Sequence, residues 1–399
     1  MISYTKAIEI IRKQITLAST EKLPLLSALG KVSASEIKSA MAVPSFRNSA
    51  MDGFAVKSST VTTENTSLHF TQSIAAGDVI LDGKSECVQI MTGAIVPEIY
   101  DAVIPIEDTS IIGDKVTFNR PAKQFENIRE VGEDVKLKQV LLKKGDMINA
   151  EKTMLLAALG CSEIEVYKLP NIHIISTGKE ISDDYGASLA TGKIYNSNAP
   201  YLLARCVSEG LAAIYEGIIA DDAHEFEQHI QQIPAGSIII STGAVSKGEW
   251  DFIPESLKKL GATIHFHRVN IRPGKPILFA TLANGSYFFG LAGNPISTAI
   301  GFQFFVLPFV RFLQGRELQK PLIAKLANDF TKKGDFRQFL KANLTNNANG
   351  ELLVDISGGQ ESFKISPMAQ SNAWVVLNEG QAQLKAGDLV TVFPFGGSL

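Results

Sequence analysis

The chain has 399 residues, 45% hydrophobic and 20% charged, with 32 glycines, 16 prolines and a formal net charge of −3. That length exceeds one ordinary core and predicts a modular globular protein, while the composition excludes disorder and the dispersed lysines and arginines leave no basic tract for a nucleic-acid backbone. Cys87, Cys161 and Cys206 stand far apart without a Cys-x-x-Cys pair, which argues against a disulfide framework or a thiolate zinc site and leaves them as small buried hydrophobes.

In chain order, "TKAIEIIRKQI" predicts a helix whose charges break the apolar run a signal peptide would need. A turn and a second helical stretch follow, closed by "AVP" where Pro44 restricts Val43. From 45 to 140, short pieces such as "SLHFTQSI", "CVQIMTG", "AVIPIE" and "KVTFN" predict an all-β insert. Within it, "SAMDGFAV" has Asp52 and Gly53 between apolar residues, which locally is a turn signal. "NAEKTMLLAALG" predicts a helix capped by Asn149 and ended by Gly160. Packed back on the N-terminal helices, it would make residues 1–44 plus 141–170 a discontinuous helical domain.

Residues 171–318 alternate strands ("NIHIISTG", "GSIIISTG", "ATIHFHRV", "SYFFGLAG") with helices, which predicts a doubly wound α/β domain with a parallel sheet covered on both faces. Residues 319–399 return to closely spaced strands, predicting a small C-terminal β-barrel or sandwich. The longest apolar run, "AIGFQFFVLPFVRFL", is shorter than the roughly 18 residues of a spanning helix, so a soluble cytoplasmic protein with no membrane partner is expected.

Three strands of the α/β domain run into glycine-bearing turns: "IISTG" ending at Gly178, "IISTG" ending at Gly243, and "FFGLAGNP" ending at Pro295. Turns at strand carboxyl ends surround the crevice of such a sheet, and backbone N–H groups there donate to anions. Ser176, Gly178, Ser241, Gly243, Gly293, Asn294 and Pro295 are therefore candidate binding residues for a phosphate-bearing ligand, with tight βα connections as the plain alternative. Glu180, Ser246, Glu249 and Asp251 follow the first two turns, and carboxylates beside a phosphate cradle make sense with Mg²⁺ between them. Solvated acidic turns are the other reading. In "VNIRPGKPI", Arg272 and Lys275 flank a rigid Pro-Gly and suit an oxyanion, or are an ordinary exposed basic loop. His265 and His267 share a strand face, but no third ligand of suitable spacing accompanies them.

Taken together, "VPSFRNSAMDGFAV", "IMTGAIVP", "REVGEDV", "ISTGKEI", "GKIYNSN", "STGAVSKGEWDF", "IRPGKPILF" and "GLAGNPIST" resemble the molybdopterin molybdenumtransferase family, the MoeA-type enzymes and the related domain of gephyrin. The resemblance spans essentially the whole chain. It implies four-domain subunits with a MogA-like molybdopterin-binding domain, paired as a homodimer. It also implies a reaction in which adenylated molybdopterin and molybdate, with Mg²⁺, give molybdenum cofactor and AMP, and it leaves room for other cofactor-biosynthesis proteins as partners. By position, Asp251, Asp52 and Glu180 would act in catalysis, with Asp251 and Glu180 on the metal. Thr92, Asp134, Ser246, Arg272 and Lys275 would bind substrate, and Lys341 and Ser366 would join them.

Four places depart from the family pattern: Lys179 stands for an acidic residue, Thr242 and Ala244 add bulk to a glycine-rich loop, Arg272 replaces a lysine and Ala292 a proline. A non-catalytic pterin-binding or scaffold protein of the same fold is the alternative. The retained Asp52, Asp251 and Lys275 favour the enzyme.

Overall fold

The computed structural model describes residues 1–78, 85–244, 252–356 and 358–396. The chain forms two compact units, one of residues 1–22, 30–34 and 165–399, the other of residues 23–29 and 35–164.

The second unit is built on a six-stranded sheet in the order Ala102–Pro105, Gly53–Val56, Cys87–Ile90, Thr66–Ile74, Lys115–Phe118, Thr109–Ile112. Gly53–Val56 is buried on both faces: Ala55 enters one apolar cluster with Val88 and Val103, while Phe54 and Val56 enter another with Ile104 and Phe118. The Asp-Gly pair is thus the entrance to an inner strand and not a hairpin turn. Glycine is required at 53 because a Cβ there would lie 2.0 Å from the Ile104 carbonyl oxygen.

The helix expected after Ile15 does not form. Ser19–Pro24 is a strand, Leu25–Ala28 a single 3₁₀ turn, and Ile37–Lys38 pairs with Val140–Leu142. Pro24 and Gly30 interrupt any helical ladder across this stretch, which outweighs its apolar spacing. Helix Ala150–Ala158 does form, with the Asn149 side chain accepting the Lys152 N–H at 3.0 Å, and it packs on the 3₁₀ turn. The N-terminal helix Tyr4–Lys13 instead buries Ala7, Ile8 and Ile11 in the α/β core.

That core surrounds a six-stranded sheet in the order Ala213–Ile219, Ile172–Thr177, Ile238–Thr242, Tyr287–Leu291, Leu278–Thr281, Thr263–His267. The first four strands are parallel, whereas Leu278–Thr281 runs antiparallel to both its neighbours. The expectation of a wholly parallel sheet is corrected there, because a short connection through Asn284 and Gly285 can only return the chain antiparallel. Both faces are covered, Ile174, Ile240 and Phe289 facing one cluster and Ile175, Ile239 and Phe288 the other.

Among the described residues one helix, Pro295–Leu313, is long and apolar enough to cross a membrane, longer than the apolar run suggested, but 94% of its 18-residue apolar stretch is buried in the protein. It widens into a π-helical turn at Phe302–Val306. Pro308 has no N–H for the Phe304 carbonyl one turn before it. The Tyr4 hydroxyl, from the N-terminal helix, donates to that carbonyl at 3.3 Å.

In the C-terminal region five strands close into a barrel: Arg337–Asn346, Leu352–Ile356, Leu322–Leu326, Leu389–Pro394 and Ala373–Leu377, the last pairing back onto the first. A sixth short strand, Ile271–Arg272 from the α/β half, adds in parallel to Arg337 and Gln338.

Candidate active site

Thr177, Thr242 and Leu291 end three adjacent parallel strands, and the turns beyond them floor a cavity of about 910 Å³. Gly178 and Glu180 come from the first turn, Gly243 and Ala244 from the second, and Ala292, Gly293, Asn294 and Pro295 from the third. Gly243 has φ +99°, and a Cβ on it would meet the Thr177 carbonyl oxygen at 2.5 Å, so only glycine fits. Ala244, flagged in the sequence as added bulk, adopts φ 48°, a left-handed conformation that costs an L-residue about 1–2 kcal/mol.

One wall of this cavity is apolar and aromatic, with Leu189, Ile194 and Tyr195, and Phe363 and Ile365 also line it. Polar groups stand between. The Asn198 amide donates to the Gly293 carbonyl at 2.8 Å, while its Oδ1 is buried without a hydrogen-bond partner among the described residues. Asp221 accepts the Lys179 N–H at 3.3 Å. Asn196 is fixed from behind by contacts of its Nδ2 with Ser176 Oγ, Asp183 Oδ1 and Tyr215 Oη at 2.9–3.0 Å. Burial, and then the neighbouring Asp183, pushes the Tyr215 hydroxyl above its ordinary range. Ser176 and Ser241 are fully buried and do not line the cavity.

A second cavity of about 430 Å³ shares Pro276, Ala292 and Asn294 with the first and is lined by Arg272, Gly274 and Lys275, with Ser297 and Ser362. The Ile271–Arg272 pairing with the barrel fixes where this loop begins. Neither Arg272 nor Lys275 has a carboxylate partner among the described residues. Phe336 carries the Arg272 guanidinium 5.6 Å and the Lys332 ammonium 5.9 Å from its ring centre. The helix at Pro295 begins here without a side-chain cap from Asn294, and the Ser362 carbonyl accepts the Ile296 N–H at 3.1 Å.

Lys341 lines neither cavity. It is wholly buried, and its ammonium donates to the carbonyls of Gly359 at 2.6 Å, Lys364 at 3.1 Å and Glu361 at 3.4 Å. Ser366 opens a short helix, Ser366–Ala369. Asp52, Thr92 and Asp134 belong to the second unit. There the Thr92 N–H and hydroxyl both donate to Asp52 Oδ1, at 2.6 and 2.9 Å, and hold its carboxyl below the usual carboxylate range, the N–H contributing most. Asp134 is an exposed residue whose N–H donates to the Val43 carbonyl. Ser246, Glu249 and Asp251 lie outside the described residues. Among those described, no three His, Cys, Asp or Glu gather as a metal site. His265 is engaged with Thr281 at 3.0 Å, and burial lowers its pKa.

Curated molybdopterin molybdenumtransferases are similar over nearly the whole chain: that of Staphylococcus aureus is 35% identical across 98% of this chain and 95% of its own. The chain belongs to the molybdopterin molybdenumtransferase family. The relative from Haemophilus influenzae is 36% identical across 94% of both chains. The family's parts follow in order, the MoeA N-terminal region (domain I and II) matching residues 2–160, the domain described as "Probable molybdopterin binding domain" residues 173–311, and the MoeA C-terminal region (domain IV) residues 323–395. A molybdopterin biosynthesis MoeA protein from Pyrococcus horikoshii superposes with a TM-score of 0.83 at 25% identity, over 98% of this chain and 99% of its own.

Within this family fold, sequence reasoning missed Tyr195, Asn198, Asp221 and Phe363. Asn198 had a signal, since "YNSN" opens a helix at the edge of the crevice. Asp221 and Phe363 had none, because only the folded chain brings them to the cavity.

Proposed function

We propose that the chain inserts molybdenum into molybdopterin, consuming adenylated molybdopterin and molybdate and releasing molybdenum cofactor and AMP. The observation that carries this reading is the pair of abutting cavities, one large with apolar walls and carboxylates, the other small with two cations that have no carboxylate partner among the described residues. A pterin joined to a nucleotide suits the first, and a tetrahedral dianion suits the second. Their common wall then sets the dianion beside the reacting end of the pterin, which turns an encounter of two solutes into a positioned one.

In this reading Arg272 grips molybdate oxygens with its planar fork and Lys275 adds a point charge. The turns at Gly243 and Gly293 let phosphate oxygens approach the backbone closely, and Asn198 Oδ1 accepts a hydrogen from the nucleotide. Tyr195 and Phe363 shield the rings from water. Glu180, Asp221 and Asp251 offer the hard oxygen donors that suit Mg²⁺, which when bound neutralises pyrophosphate charge. Asp52, Thr92 and Asp134 enter through the family resemblance as groups presented to the ligand, as do the four-domain division, the homodimer and a cytoplasmic location.

The test is AMP release from adenylated molybdopterin with molybdate and Mg²⁺. Asp251→Asn is expected to lose on the order of 100-fold in rate while still binding pterin, and Lys275→Ala to raise the molybdate requirement about tenfold with pterin affinity nearly unchanged. Equal loss of both affinities counts against the oxyanion role of Lys275. If the parent protein binds pterin tightly yet releases no AMP, it is a scaffold of this fold.

A further inference from the structure

Lys341 sits on the barrel strand Arg337–Asn346, where alternate side chains face opposite ways. Leu340 and Ala342 point into the barrel core, and Phe339 points outward to the α/β core. Lys341 shares the outward parity of Phe339, yet it is as buried as the core residues around it. A buried ammonium needs acceptors for its hydrogens, and here three backbone carbonyls of one loop supply them. Gln360 completes the grip, its Oε1 accepting the Lys341 N–H at 3.0 Å and its Nε2 donating to the Lys341 carbonyl at 2.8 Å.

The loop so held supplies both cavities, Ser362 to the smaller and Phe363 to the larger. Its Ser362 carbonyl also accepts the Ile296 N–H in the first turn of the Pro295 helix. We propose that Lys341 is a positioning residue that does not touch substrate: it anchors the 359–364 loop, and through that loop sets Ser362 and Phe363 over the two cavities. An ammonium suits this task better than a guanidinium, because its three hydrogens diverge tetrahedrally toward three carbonyls, whereas a planar fork suits a single flat anion.

The inference rests on the reading of the two cavities as the substrate site, and two separate readouts keep them distinguishable. The first is hydrogen exchange at the Ile296 amide in the full chain. Both Lys341→Met and Lys341→Arg are expected to speed it about tenfold or more while amides of the Ile172–Thr177 strand stay within about twofold. The second is steady-state AMP release, where both variants should raise the KM for molybdate about tenfold and leave kcat within about threefold.

Unchanged exchange at Ile296 in both variants overturns the proposal. So does a Lys341→Arg protein that binds molybdate like the parent while Lys341→Met does not, since a direct anion ligand behaves that way. Should Lys341→Met fail to fold, Lys341→Arg decides alone: exchange at Ile296 like the parent's, or a molybdate KM like the parent's, overturns the proposal. If the parent itself releases no AMP, the substrate-site reading fails, and exchange at Ile296 still judges the anchor.

Discussion

At the residue scale, Asp52 shows how local signal and role diverge. Its sequence neighbours suggest a turn, and the fold makes it the last residue before an inner strand, with its carboxylate fastened by Thr92. Two donors favour the charged form, so the folded pKa lies below the ordinary value. The sign follows: this contribution to stability is present above the unfolded carboxylate pKa and is lost as pH falls through the folded one. Thr92→Val removes the hydroxyl and keeps the N–H. By carboxyl NMR titration Asp52 should then titrate higher than in the parent but still below an ordinary aspartate; no movement would show that the N–H alone fixes it. The basic pair Arg272 and Lys275 was legible because a Pro-Gly between two cations is a local pattern. Lys341 was legible as a position but not as a geometry, since its carbonyl partners lie 18 to 23 residues away in sequence.

At the scale of elements, strands buried at every residue were the plainest to read, and one half-buried edge strand was missed. Ile172–Thr177 and Ile238–Thr242 are buried at every residue, and their apolar runs gave them away. Ala213–Ile219 escaped notice: it is a sheet edge whose residues are mostly half-buried, and Gly217 at φ +94° accompanies a shift of register against Ile172–Thr177. The Pro295–Leu313 helix carries a second hidden dependence, on the Tyr4 hydroxyl that serves the carbonyl orphaned by Pro308. Burial raises the Tyr4 pKa, so the hydroxyl keeps its proton as a donor through the neutral range. Its ring also meets Phe305 edge-on at 5.4 Å. Tyr4→Phe keeps that ring contact and removes only the donor, so urea unfolding should show a loss of about 1–3 kcal/mol, the cost of leaving a buried carbonyl unpaired. A change near zero would mean that the carbonyl is served otherwise.

At the scale of the whole molecule, composition and length suggested several cores, and the chain does divide into two compact units with separate apolar clusters. Calorimetry is expected to resolve more than one transition, as for most chains with several cores. Phe226 is fully buried in an α/β cluster. Phe226→Ala should weaken one transition by about 3–5 kcal/mol and leave the other in place; a single transition that shifts as a whole would refute this independence. Closure of the barrel was the least legible feature, because the pairing of Ala373–Leu377 with Arg337–Asn346 joins strands that are remote in sequence and leaves no local pattern.

The short strand Ile271–Arg272 has a consequence for anyone who would trim the protein. Its ladder partner is Arg337–Gln338, the Arg337 N–H donates to the Asn270 carbonyl, and the Asn270 side chain reaches the Asp335 carbonyl. The barrel is therefore not an appendage that can be cut away after residue 318 to leave a working α/β core. Truncation would strip the backbone partners from the segment that launches Arg272 and Lys275, and the smaller cavity would lose its frame even though both cations remained in the chain. A nick in the connecting peptide, by contrast, should leave the two pieces stitched together.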